Sequence, residues 1–93
     1  MTDETSLLVK KAASVLRAAG AREVYVFGSA RHGMLRDGSD VDLAVSGLPP
    51  EVFFRALAEA SRAVGRALDL VDLDEDNAFV RHLRSEGELQ RVG

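Results

Sequence analysis

The stretch Gly28-Ser29-Ala30-Arg31-His32-Gly33-Met34-Leu35-Arg36-Asp37-Gly38-Ser39-Asp40-Val41-Asp42-Leu43-Ala44-Val45 decides how this chain is read. It joins a Gly-Ser pair to an Asp-x-Asp at the head of an apolar run. Just before it, Glu23 to Phe27 is dense in β-branched and aromatic residues and stops at Gly28, which reads as a first strand. Ala30 to Leu35 suits a short helix, Arg36 to Ser39 has turn chemistry, and Asp40 to Val45 reads as a second strand. Side chains alternate along a strand, so Asp40 and Asp42 share one face, with Cα atoms roughly 6.6 Å apart at a rise of ~3.3 Å per residue.

Two carboxylates whose oxygens lie about 5 Å apart repel by roughly 3 kcal/mol at an effective dielectric near 20, and a bound cation removes that cost. Two-metal phosphoryl-transfer sites hold their ions ~3.5 to 4 Å apart, a span that such a pair and a third carboxylate from a neighbouring strand can bracket. Ala67 to Leu73 supplies the candidates, Asp69 and Asp72. Its apolar residues are too many for a strand covered on one side, so it reads as a central third strand. Oxygen ligands alone suit Mg²⁺ or Mn²⁺ rather than zinc or copper. Gly28 allows close backbone approach, and Ser29 at the start of a helix points free N–H groups and a hydroxyl at an anion such as a triphosphate. The P-loop spacing and the dinucleotide-binding Gly-x-Gly-x-x-Gly are both absent.

Outward from this centre, Leu8, Ala12, Val15, Leu16 and Ala19 mark one face of a helix over Thr5 to Ala19, with Thr5 or Ser6 as its cap and Gly20 at its end. Pro50 to Val64 reads as a second helix that covers the sheet, closed by Gly65, with Val52, Phe53, Ala56, Leu57, Ala60 and Val64 on its apolar face. Asp74, Glu75 and Asp76 load the start of a last helix that reaches Ser85. The expected fold is α/β (α+β), a small mixed sheet of about three strands with helices packed on it, in one domain over residues 1–93.

The 93 residues are 46% hydrophobic, enough for one compact core. A net charge of -3, from 12 basic and 15 acidic residues, gives no footprint for long nucleic acid. Cysteine is absent, which excludes thiol nucleophiles and Cys-ligated zinc and fits a reducing interior. No apolar run approaches the ~20 residues of a membrane span, so the expected location is cytoplasmic.

Taken together, Gly28-Ser29, Asp40-Val41-Asp42 and the later hydrophobic-Asp-hydrophobic strand at Asp69 resemble the polymerase beta-like nucleotidyltransferases. Ser39 to Val45 in particular resembles the Ser-Asp-hydrophobic-Asp-Leu strand of the minimal nucleotidyltransferases paired with HEPN-domain toxins. The resemblance implies that Gly28, Ser29, Arg31 and Ser39 bind nucleotide. It implies that Asp40, Asp42 and Asp69 hold two Mg²⁺ ions and carry catalysis. The implied reaction transfers NMP, as AMP from ATP, to a hydroxyl of a partner protein, the HEPN toxin of a toxin-antitoxin pair, in which this chain is the antitoxin. The chain departs from many relatives at Ala30 and His32. A non-catalytic antitoxin module and a small-molecule nucleotidyltransferase subunit are the alternatives. All three readings call for a second subunit, in a homo- or hetero-oligomer.

Overall fold

A computed structural model describes residues 3–28 and 40–93. The expectations for Ser29 to Ser39, including the short helix and the roles of Ser29, Arg31 and Ser39, lie outside the described residues. In chain order the elements are α1 (Asp3–Ala18), β1 (Glu23–Val26), β2 (Val41–Ser46), a 3-10 turn at Pro50–Val52 that leads into α2 (Phe53–Val64), β3 (Leu68–Asp72), α3 (Ala78–Ser85) and β4 (Gln90–Arg91). The sheet runs in the order β3-β2-β1-β4. β1 is antiparallel to both β2 and β4, and β2 is parallel to β3. A parallel pair needs a long crossover, and α2 supplies it.

Period-two alternation sends the strands' side chains into two clusters. On one face Val24, Val26, Val41, Leu43, Val45 and Leu68 pack against Val9, Ala12, Ala13 and Leu16 of α1 and Ala56 and Ala60 of α2. On the other, Phe27, Ala44 and Leu73 meet Val80 and Leu83 of α3, with Tyr25, Val71 and Leu89 alongside. The small residues Ala12, Ala13, Ala56 and Ala60 let α1 and α2 lie close to the sheet and to each other. Gly65 ends α2 in the left-handed conformation at φ 69°, as its position in the sequence implies.

Four expectations need correction. The third strand is an edge strand rather than a central one, and its apolar content comes from α2 covering one of its faces and α3 the other. It is apolar on both faces without having a strand on both sides. The sheet has four strands instead of about three, since Gln90 and Arg91 pair with Val26 and Tyr25. Thr5 is not a cap: α1 starts at Asp3, and Thr5 is buried in its first turn. The acidic run does not open α3 either. Asp74 Oδ2 accepts from the Gly47 amide at 2.7 Å and Asp76 pairs with Arg81 at 2.5 Å, while Asn77 is the N-cap, its Oδ1 accepting from Val80 N at 2.9 Å.

β4 is fastened from three sides. Val92 N donates to Val24 O at 2.9 Å, the Arg17 guanidinium donates to the Val92 carbonyl, and Arg91 lies 3.6 Å from Glu23. Asn77→Ala is expected to destabilise the protein by about 1 kcal/mol through loss of the cap. Leu43→Ala, at a position with no exposed surface, is expected to cost ~2 to 5 kcal/mol. Urea denaturation at 25 °C measures both, with an unchanged slope for the cap variant.

Candidate active site

The hydrogen bonds fix which way each residue of the sheet faces. Val41 N donates to Ala67 O at 3.1 Å and Leu73 N to Val45 O at 2.8 Å, so the odd-numbered backbone groups of β2 and β3 meet each other. The even-numbered groups of β2 turn to β1, as Phe27 N to Asp42 O at 3.1 Å shows. This ladder sets Asp42 level with Asp69. Neighbouring strands lie about 4.8 Å apart, so the two carboxylates leave adjacent points of the backbone. Alternation places both on the α3 face, opposite Val41, Leu43 and Leu68.

Asp40 precedes β2 by one residue, and the same alternation directs it with Asp42. It is exposed, as is Asp69, whereas Asp42 is half-buried. Burial raises the Asp42 carboxyl pKa above its ordinary value of 3.8, and the charges of Asp69 and then Asp40 push it further. Asp42 therefore feels the charge of both other acids. Asp72 goes elsewhere: it lines a cleft of about 160 Å³ with Pro50, Phe53, Phe54 and Glu75 at the far end of β3.

Gly28 closes the other side of Asp42. Its φ is +66°, and a Cβ there would overlap Asp42 Oδ2 and stand 3.2 Å from Asp42 Cγ. Only a residue without a side chain leaves that carboxylate its place. Phe27, next in line, packs edge-on against Phe79 of α3 with ring centroids 6.3 Å apart, and Phe79 remains 51% exposed. In the sequence Phe79 carries no mark that sets it apart from its apolar neighbours in α3, Val80 and Leu83.

Among the described residues, no group of three His, Asp or Glu side chains stands ready-made as a metal site. The sheet frame brings the backbones of Asp42 and Asp69 together, and the exposed Asp40 and Asp69 side chains can still turn about two bonds each. Carboxylate oxygens alone could hold a hard divalent cation between Asp42 and Asp69.

Gly28→Ala is expected to cost about 1 to 2 kcal/mol from the left-handed backbone alone, with a further loss from the displaced carboxylate. Thermal melts of Gly28→Ala, Asp42→Ala and the double variant check this. The double variant should recover the part that comes from the overlap and keep the backbone part.

Residues 10–89 match the sequence profile of the polymerase beta nucleotidyltransferase family. Among curated proteins, none matches the chain. Among solved structures, a toxin-antitoxin complex with AMP-PNP superposes with a TM-score of 0.72 at 22% identity, over 99% of this chain and 73% of the other. The complex of a tri-AMPylated HEPN toxin with an MNT antitoxin from Shewanella oneidensis gives 0.69 at 22% identity, over 96% and 71%. The MntA-HepT toxin-antitoxin gives 0.67 at 22% identity, over 94% and 70%. These likenesses are of fold, and they agree with the profile match and with the carboxylate-bearing strands: the chain belongs to the polymerase beta nucleotidyltransferase family.

Proposed function

We propose that this chain is a single-domain, cytoplasmic nucleotidyltransferase that moves AMP from ATP to a hydroxyl of a HEPN-domain toxin, and so acts as its antitoxin. The observation that carries the reading is the register of Asp42 with Asp69 on one sheet face, with Asp40 beside them. Support comes from the family match and from structural neighbours that include a nucleotide analogue and an AMPylated HEPN toxin. No helix among the described residues is long and apolar enough to cross a membrane.

In this reading Asp40, Asp42 and Asp69 hold two Mg²⁺ ions, while Gly28, Ser29, Arg31 and Ser39 receive the triphosphate. Bound there, the cations would offset charge on the phosphate oxygens and lower the pKa of the acceptor hydroxyl. The acceptor oxygen bonds to the α-phosphorus, the bond from that phosphorus to the bridging β-phosphate oxygen breaks, and pyrophosphate leaves. The hydroxyl proton passes to the exposed Asp69 carboxylate. Asp42, half-buried and braced by Gly28, keeps its place through the reaction. The protein's contribution is position and charge.

The test is incubation with Mg²⁺, labelled ATP and the HEPN-domain protein. Label is expected in that protein, reduced about a hundredfold or more by Asp42→Asn. Binding of the HEPN-domain protein without label transfer, unchanged by Asp42→Asn, would replace this reading with a non-catalytic antitoxin. Label on small molecules only would point to a small-molecule transferase.

A stability measurement runs alongside. The folded chain holds the Asp42 proton more tightly than the unfolded chain does, so this group lowers stability as pH rises from 3.8 through its folded value, and fully so above it. Asp42→Asn is therefore expected to melt higher than wild type at pH 7 in chelator, with the gap closing as pH falls towards 3.8. Added Mg²⁺ is expected to raise the wild-type melting temperature, by the equivalent of about 2.7 kcal/mol at a hundred times Kd, and to leave Asp42→Asn unmoved.

A further inference from the structure

We propose that the outer edge of β3 receives an extended segment of the acceptor protein as an added strand, which sets the acceptor hydroxyl beside Asp69. The inference rests on the nucleotidyl-transfer reading above and adds to it how the acceptor is presented.

The sheet ends at β3, and among the described residues no strand pairs with its outer side. The ladder determines what that side offers. Ala67 O and Leu73 N both point into the sheet, so the odd-numbered backbone groups are taken by β2. N–H and C=O of one residue point the same way and alternate along a strand, so those of Leu68 and Leu70 and the N–H of Asp72 point outward, while the Asp72 carbonyl accepts from Glu75 N at 3.3 Å. An extended chain matches such alternating donors and acceptors.

The same alternation places the reacting group. Asp69 lies between Leu68 and Leu70, exposed and on the α3 face. A strand added to this edge would run about 4.8 Å away, and its residue level with Asp69 would project onto that same face. A hydroxyl carried there meets the Asp69 carboxylate first, with Asp42 one strand further in. No other edge of the sheet does this, since the opposite one is β4.

Charge selects the occupant. The edge carries Asp69 on one face and Asp72 on the other within the five residues of β3, and no basic residue. Glu75 stands near Asp72 at the cleft. A second copy of β3 would bring like charges together, which protects the edge against self-pairing. The matching segment carries a hydroxyl residue level with Asp69 and a Lys or Arg level with Asp72.

Amide hydrogen exchange on the full chain, alone and with the HEPN-domain protein under conditions where label transfer is scored, tests the proposal. Leu70 and Asp72 amides are expected to slow about tenfold or more in the complex, while Asp69 and Val71, already bonded to β2, serve as the internal reference. Label transfer with no added protection at Leu70 and Asp72 would overturn the added strand and leave the transferase reading standing. Absence of label transfer to any protein would overturn that reading and this inference with it. As a second arm, Leu70→Pro removes an outward donor and no bond to β2. Its kcat/KM for the protein acceptor is expected to fall at least tenfold below that of Leu70→Ala, with ATP binding equal in the two. Equal rates for both variants would sink the proposal.

Discussion

The parallel ladder between β2 and β3 is the constraint on which the site depends. It joins residues far apart in the chain, and its register leaves no latitude: a slip of one residue would send Asp69 to the α2 face and Leu70 or Leu68 to the acids. Two independent cores hold the register. Leu43 and Leu68 anchor one face against α1 and α2, and Ala44 and Leu73 anchor the other against α3. Sliding β3 would bury carboxylates and expose leucines on both faces at once. The helices thus act on the chemistry without touching it.

Against that frame the three acids are unequal, and their exposure explains why. Asp40 and Asp69 sit at the margin of the sheet, where water lowers the cost of charge. Asp42 lies one strand inward, flanked by both and roofed by Gly28, and burial raises its carboxyl pKa. The fold resists the charge of this one residue, so ionising it costs stability. Gly28 is tied to the same compromise. Its positive φ favours glycine, and its missing side chain admits the carboxylate, so one residue meets both demands.

Most of this architecture is visible in the residues, and the exceptions have physical causes. Strands β1 and β2 announce themselves through β-branched runs ended by Gly28 and Gly47, and α2 through its apolar stripe and Gly65. Alternation places Asp40 and Asp42 on one face, yet only pairing sets Asp69 level with Asp42. The edge position of β3 escaped notice because hydrophobic content reports how many faces are covered, not how many neighbours are bonded. β4 is two exposed residues with no pattern of their own, created by Val24 and Arg17 reaching for Val92. The acidic run before α3 misled for a related reason: Asp74 and Asp76 find Gly47 and Arg81 as partners, which leaves the cap to Asn77.

The asymmetry of the sheet follows from the same accounting of backbone groups. β1 and β2 are each bonded on two sides and bear the buried parts of the site, Phe27 and Asp42. β3 is bonded on one side and bears the exposed part, Asp69. Burial favours groups that must stay in place, since a side chain packed on all sides has one rotamer. Exposure favours a group that must meet a varying partner and exchange a proton with it. The edge position of β3 therefore leaves the Asp69 side chain open to solvent, while Asp42, one strand inward, is half-buried.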